Sequence, residues 1–399
     1  MVVAGGCGGS GGGGLGDGSL GVVAVGEGRA VQVRSLGPVD AASRRGGELA
    51  VADYGPIHGF PVKIGTPLDP DCSPELGRRI AQLVASDRRV AGVVGPRCSD
   101  TAAVAAPVLT AAGLSLISPS ATSPALTSDL RGTAGGGYSP GFYRTAHNDL
   151  YQGEAVARFL VEERGLTAAA AAHSGGPYTQ GLARAFAEAF ERLGGAVTAF
   201  VEVDPDGADT GQALASLAAG EPQALYLPLR EPAAAPIARQ TRSVPGLEAA
   251  LLVGADALLY DSFLGRPESE GMFFSGPGTS LAGNTNQSTG KTTEQVLASY
   301  QQTYGEPPAG AFWEHGYDAA AILLDAIQAA SRLSDGTLLI DLAGVREYLS
   351  GLREYQGITG TLGCDDFGDC GSQRIAIIEH TDHRDIQASR SNIIYHTNP

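Results

Sequence analysis

From about residue 30 onward, short apolar runs alternate with longer stretches whose apolar residues recur at helical spacing. The runs predict strands at Val31–Arg34, Val62–Gly65, Val90–Val94, Leu114–Ile117, Ala196–Val203, Ala224–Leu229, Ala249–Val253, Met272–Ser275, Arg374–Glu379 and Asn392–Tyr395. Alternation with helices implies βαβ units and a mainly parallel sheet. The helices carry clear punctuation. Ser73 is placed to cap one and Pro74 to enter its first turn, with Leu76, Ile80 and Leu83 along one face. A second runs from about Gln180 to Leu193, burying Leu182, Phe186, Ala189 and Phe190 before the Gly194-Gly195 stop. A third, residues 315–330, is apolar nearly all round and is expected deep in the core.

Residues 1–28 are glycine-rich and low in complexity, which predicts a flexible tether and a fold that begins near Ala30. The 399 residues are enough for two or three domains. A formal charge of −16 disfavours nucleic acid or an anionic membrane face as partner. No apolar run reaches the roughly 18–20 residues of a membrane helix.

Five cysteines are present. Cys364 and Cys370 flank DDFGD, and five intervening residues around a glycine turn suit a hairpin closed by a disulfide. His380 and His383 follow, but the spacings miss the usual zinc patterns, and DDFGD lacks the spacing and closing Glu of an EF-hand calcium loop. Paired cysteines point to an oxidising compartment. Cys7, in VVAGGCGGSGGGG, resembles the lipidated cysteine that ends a bacterial lipoprotein signal; the alternative is a free thiol on a tail.

Three strings remain: PLDPDCSPEL (67–76), VVGPRCSD (93–100) and LISPSATSPALT (116–127). Together they resemble the paired cysteines and Ser/Thr-rich ligand loops of type I periplasmic binding proteins, leucine/isoleucine/valine-binding subgroup. The resemblance covers about residues 30 to 399. It implies an α/β fold of two doubly wound, Rossmann-like lobes joined by three crossovers, near Thr145–Asn148, Gly276–Ser280 and Gly357–Thr361. Lobe 1 would hold 29–146 and 279–358, and lobe 2 would hold 147–278 and 359–399. It implies a Cys72–Cys98 disulfide. It implies a monomeric extracytoplasmic protein, anchored through Cys7, that closes over a small ligand and delivers it to an ABC permease. No cofactor, metal or catalytic residue is expected. A sensor domain of the same fold is the alternative, and a hydrolase on that scaffold is a weaker one.

The resemblance also assigns ligand contacts. Ser99 follows a strand and a Gly-Pro turn, where a helix start offers free N–H groups to a carboxylate; a plain cap is the other reading. Ser120, Ala121 and Thr122 lie at the carboxyl end of a strand, where α/β sheets bind ligands. The family uses their main chain and the Thr122 hydroxyl for the carboxylate and ammonium of an amino acid. Asp256 stands where the family pairs an acid with the ammonium, or it caps a helix. Tyr178 matches a tyrosine that covers the ligand, or it packs on Pro177.

Two departures bear on the ligand. Arg230 occupies the position of a pocket tyrosine, and the first loop (36–54) is short, lacks its aromatic and carries Arg44 and Arg45. Either these arginines are solvated at the rim, or they meet a ligand with an extra anionic or polar group. A polar or acidic ligand is therefore expected over leucine. Several other motifs fail. STGKT (288–292) has Thr285 where a phosphate loop needs glycine, and Ser288/Lys291 lack partner motifs. His58, His147, His173 and His315 are scattered and read as structural or surface residues.

Overall fold

The computed structural model describes residues 21–38, 41–278 and 283–397. Two sheets organise them. The first is five-stranded and parallel, in the order Val62–Ile64, Val31–Ser35, Val90–Val94, Leu116–Ser118, Phe142–Arg144. The second has seven strands, in the order Ile393–His396, Ile375–Glu379, Phe273–Pro277, Leu251–Gly254, Ala224–Leu227, Ala168–His173, Ala196–Glu202. It is parallel except at the edge, where Ile375–Glu379 runs against both its neighbours. Each sheet defines one lobe of a two-lobed α/β fold, the type the family resemblance implied.

Period-two burial explains the second sheet. In Ala168–His173, Ala170 and Ala172 join one apolar cluster, and Ala169 and Ala171 join another. Leu225 and Leu227 of the neighbouring strand go with the first, and Ala224 and Tyr226 with the second. Both faces are therefore covered, as a parallel sheet requires. In the first lobe the helices Ala42–Tyr54 and Trp313–Ala329 touch backbone to backbone. A Cβ on Gly316 would stand 2.6 Å from the Ser43 carbonyl carbon, so only glycine permits that approach. Trp313–Ala329 is buried on nearly all sides, as its composition predicts.

Four expectations are corrected. The tether does not extend to residue 28: Val22–Val25 is a strand paired antiparallel with Thr337–Asp341, because Val23 and Val25 find apolar cover there. Strands at Phe142–Arg144 and Ala168–His173 were not foreseen, the second because alanine carries little strand signal. The chain leaves the first lobe for the last time after Cys370, not near Gly357–Thr361, since Ile358, Leu362, Cys364 and Cys370 pack in the first core. In Pro74–Ser86, capped by Ser73 as expected, the buried face is Gly77, Ala81 and Val84; Leu83 is 61% exposed and Leu76 is exposed too. Small residues let this helix lie close on Ser99–Ala111, so the bulkier leucines turn outward.

Both disulfides form as expected, Cys72–Cys98 and Cys364–Cys370. Cys7 lies outside the described residues. Thiol titration of the unfolded, unreduced protein should find no free thiol among these four. Reducing Cys72–Cys98, which closes 26 residues, should cost roughly 3 kcal/mol by the chain-entropy argument. Four free thiols in protein from an oxidising compartment would refute both pairings.

Candidate ligand-binding site

A cleft of about 600 Å³ opens between the lobes. The first lobe contributes the Cys72–Cys98 bridge, Arg97, Ser99, Asp100 and Ser120; the second contributes Ser174, Tyr178, Thr179, Arg230 and Asp256. These come from loops at the carboxyl ends of Val90–Val94, Leu116–Ser118, Ala168–His173, Ala224–Leu227 and Leu251–Gly254, where the parallel strands of both lobes point. Among the described residues, no Leu, Ile, Val or Met lines this cleft.

The first-lobe loop is built from the inside. Ser118 Oγ donates to the Pro96 carbonyl (2.6 Å) and accepts from Ala121 N–H (2.9 Å). Ser120 Oγ donates to the Arg97 carbonyl (3.0 Å). Ser99 is the first residue of its helix, not the cap, which is Cys98. Its Oγ accepts from Ser123 N–H (3.1 Å) and ties the two loops together. Arg144, 0% exposed, anchors the loop from beneath. It donates to the Ala121 carbonyl (3.1 Å), the Ser123 carbonyl (2.8 Å) and Thr127 Oγ1 (2.7 Å), and forms an ion pair with Asp369. Both main-chain groups of Ala121 are therefore occupied within the loop. Thr122 is fully buried, and its hydroxyl has no well-formed hydrogen bond.

Asp256 opens a short turn at residues 256–258 and caps nothing. Its Oδ1 accepts from the Tyr178 hydroxyl (2.9 Å) and from Gln152 Nε2 (3.1 Å). Tyr178 is thus a buried partner of Asp256, not a loop residue packed on Pro177. Gln152 is itself held by Ser275 Oγ (3.0 Å) and His147 Nε2 (2.6 Å).

Behind Asp256 stands Asp149, which the sequence reading had not singled out. It begins the Asp149–Arg158 helix, and its N–H donates to the Thr122 carbonyl (3.0 Å). Asp149 is 0% exposed, and neither of its carboxylate oxygens has a well-formed hydrogen bond. Burial pushes both acids above the usual carboxylate range; the charge of Asp256 adds to the effect at Asp149. The contrast is Asp318, equally buried but satisfied by Asn286 Nδ2, Ile358 N–H, Thr359 N–H and Thr359 Oγ1. That acid clamps the 355–362 hairpin; Asp149 has no comparable structural partner. One ligand atom from each of His147, Asp149 and Asp256 falls within 4.8 Å of the others, so the three converge, with Asp256 in the cleft wall and Asp149, His147 and Thr122 behind it. Burial holds His147 neutral, down to about 4. The only sequence signal for Asp149 was an acid in a helix's first turn, which usually means no more than favourable dipole placement.

Arg230 neither points to water nor waits for a ligand alone. Its guanidinium pairs with Asp100 of the opposite lobe (2.5 Å) and lies 5.3 Å above the Tyr178 ring, so the lobes are bridged. Arg44 and Arg45 are not in the cleft. Arg44 is buried and pairs with Glu48, and Arg45 pairs with Glu306 over the Tyr304 ring. Arg97, which had not been singled out, does line the cleft, with its buried Nε unpaired. His173 and His315 are buried, and Cys364 and Cys370 are bonded to each other well apart from His380, which hydrogen-bonds the Leu264 carbonyl.

Comparison with known proteins agrees with this geometry. The Leu/Ile/Val/Thr-binding protein of Salmonella typhimurium is 26% identical over 334 residues, 81% of this chain and 82% of that one. The leucine-, isoleucine-, valine-, threonine- and alanine-binding protein of Pseudomonas aeruginosa is 26% identical over 337 residues, 82% and 80% of the two chains. Among solved structures, a leucine binding protein from Thermotoga maritima superposes with a TM-score of 0.74 at 22% identity, over 89% of this chain and 96% of that chain. A solute binding protein from R. palustris in complex with benzoate gives 0.71 at 18% identity, over 89% and 94%. The sequence itself matches the periplasmic binding protein family over residues 35–380. A two-lobed fold, a polar interlobe cleft and that match lead to one conclusion: the chain belongs to the periplasmic binding protein family, whose members bind solutes rather than transform them.

Proposed function

We propose that this protein is the extracytoplasmic binding component of an ABC importer, holding a polar or acidic amino acid between its lobes and presenting the closed form to a membrane permease. The observation that carries the ligand class is the cleft wall: charged and hydroxyl residues converge on it, and among the described residues no Leu, Ile, Val or Met side chain lines it, its apolar part coming from Ala257, Phe312 and prolines. An aliphatic ligand gains about 25 cal/mol for each Å² buried against apolar walls, and here that cover is limited to Ala257, Pro74, Pro205, Pro232 and the rings of Phe312, Tyr178 and Tyr260. The ammonium sits among Asp149, Asp256 and the Thr122 hydroxyl. The α-carboxylate lies at Ser99 and Ser120, against the start of the Ser99–Ala111 helix, where N–H groups and the helix dipole favour an anion. Arg97 and Arg230 face the ligand's distal group, and Tyr178 covers it. Relatives named for branched-chain amino acids and for benzoate support a small carboxylate as the common cargo. Cys7 carries the anchor, and the protein acts as a monomer.

A thermal-shift panel of leucine, valine, glutamate, aspartate, the amides and small aromatic acids tests this on wild type, Arg97→Ala and Arg230→Ala. Glutamate, aspartate or an amide should give the largest shift, and at least one substitution should cut it by roughly tenfold in affinity, the value of one charged hydrogen bond. Leucine or valine ranking first, unchanged in both variants, would refute the polar-cargo reading.

A further inference from the structure

A second cavity, of about 520 Å³, shares Phe312 with the cleft but is otherwise separate from it. Its walls are mostly apolar and come from both lobes: Leu297, Pro308 and Trp313 from the first, Phe274, Ile378 and Ile393 from the second. Glu314 also lines it, at 9% exposure. Its carboxylate makes no ion pair and meets no donor from another described residue; only its own N–H, at the start of the Trp313–Ala329 helix, is near. Arg390 is the cation in the same wall, but it is committed to Asp261 (2.6 Å), the Pro308 carbonyl (3.0 Å) and the Leu259 carbonyl (3.4 Å).

We propose that this cavity is a second ligand site, taking a small amphipathic amine whose ammonium pairs with Glu314 and whose apolar body lies against Leu297, Trp313, Phe274 and Ile378. The size and the mostly apolar lining with a few charged groups, Glu314 buried and Glu294 at the exposed rim besides Arg390, are those of small-molecule sites. An anion meets a guanidinium that is already paired with a carboxylate, because both terminal nitrogens of Arg390 are engaged by Asp261, Pro308 and Leu259. A neutral molecule leaves the buried acid without a partner. Burial pushes Glu314 up to about 7, with neighbouring Asp318 adding to the rise and Arg390 opposing it, so a bound cation relieves a strained group. Phe312, between the two spaces, holds a left-handed backbone (φ 72°), which a bulky residue adopts only when its surroundings impose it. Because both lobes wall the cavity, an occupant favours the lobe arrangement seen here.

Calorimetry with 2-phenylethylamine, its neutral twin 2-phenylethanol and the anion 3-phenylpropanoate tests the site on wild type, Glu314→Gln, Leu297→Trp and Asp256→Asn. The amine should bind wild type roughly tenfold or more tightly than the alcohol, the preference expected of a charge-assisted hydrogen bond. Glu314→Gln should erase that preference, and Leu297→Trp, which fills the cavity without touching the charge, should block amine and alcohol together. No amine binding to wild type, or equal binding of amine and alcohol, overturns the proposal. Amine binding that survives Glu314→Gln and disappears in Asp256→Asn places the amine in the cleft and overturns it as well.

Discussion

Replacing Asp149 by Asn is expected to weaken amino-acid binding by roughly 10- to 100-fold, one charged hydrogen bond in a buried site, while the ligand-free protein melts no lower than wild type. The two halves of that expectation come from one fact. Asp149 is fully buried with both oxygens lacking a well-formed hydrogen bond, so its charge is met only by the nearby Thr122 hydroxyl and the field of Arg144 until a ligand supplies more. The amide is a near-isostere that removes the charge and keeps the volume. Calorimetry with whichever amino acid ranks first in the panel, alongside a thermal melt, measures both. Unchanged affinity would show that the ammonium is held elsewhere; a large drop in melting temperature with unchanged affinity would make Asp149 a structural residue.

The same pair sets the pH response. Folding raises the pKa of Asp149 and Asp256, through burial first. In the ligand-free protein their contribution to stability is therefore fully present below the unfolded carboxylate pKa and is lost as pH rises through the folded values. An ammonium ligand needs the charged forms, so affinity moves the opposite way. Between about pH 8 and pH 5 the ligand-induced rise in melting temperature should shrink steadily, and Asp149→Asn should flatten that slope. A ligand without an ammonium group would show no such trend.

Arg144→Met is expected to cost roughly 3–5 kcal/mol of stability, the loss typical when one partner of a buried ion pair is removed. Arg144 is 0% exposed and spends its guanidinium on Asp369, Thr127 Oγ1 and the carbonyls of Ala121 and Ser123. Removing it strands the Asp369 carboxylate, which Asn148 Nδ2 alone then serves (3.1 Å), and frees the loop that carries Ser120 and Thr122. Urea denaturation should show the loss, and the double variant Arg144→Met/Asp369→Asn should recover part of it by removing the stranded charge. A single-variant loss below about 1 kcal/mol would mean that water reaches and solvates Asp369.

Apolar periodicity located most strands of both sheets and the Gly181–Arg192 and Trp313–Ala329 helices, because long, strongly patterned segments leave one way to bury their apolar atoms. It missed Ala168–His173, whose alanines carry little strand signal of their own and are held as strand by pairing on both sides. It chose the wrong face of Pro74–Ser86, because leucines look more buriable than Gly77 and Ala81 until a second helix demands close approach. The two disulfide pairings were legible in the chain, one from spacing and one from motif resemblance.

For the site, the family resemblance marked Ser99, Thr122, Tyr178 and Asp256 as candidate ligand residues, where local sequence alone offered caps and loop positions. What it could not mark was partnership. Arg230 and Asp100 are 130 positions apart, and only lobe closure makes them a pair. Asp149 and Asp318 carry the same side chain with the same burial, yet one is satisfied by four donors and the other lacks a well-formed partner. The sequence alone determined the α/β class and its mainly parallel sheets through local apolar pattern, and its motif resemblance implied the two lobes, the Cys72–Cys98 pair and the loops that reach the cleft. The tertiary structure alone decided which buried charges are spent and which are open to a ligand, because that depends on donors brought together from distant segments.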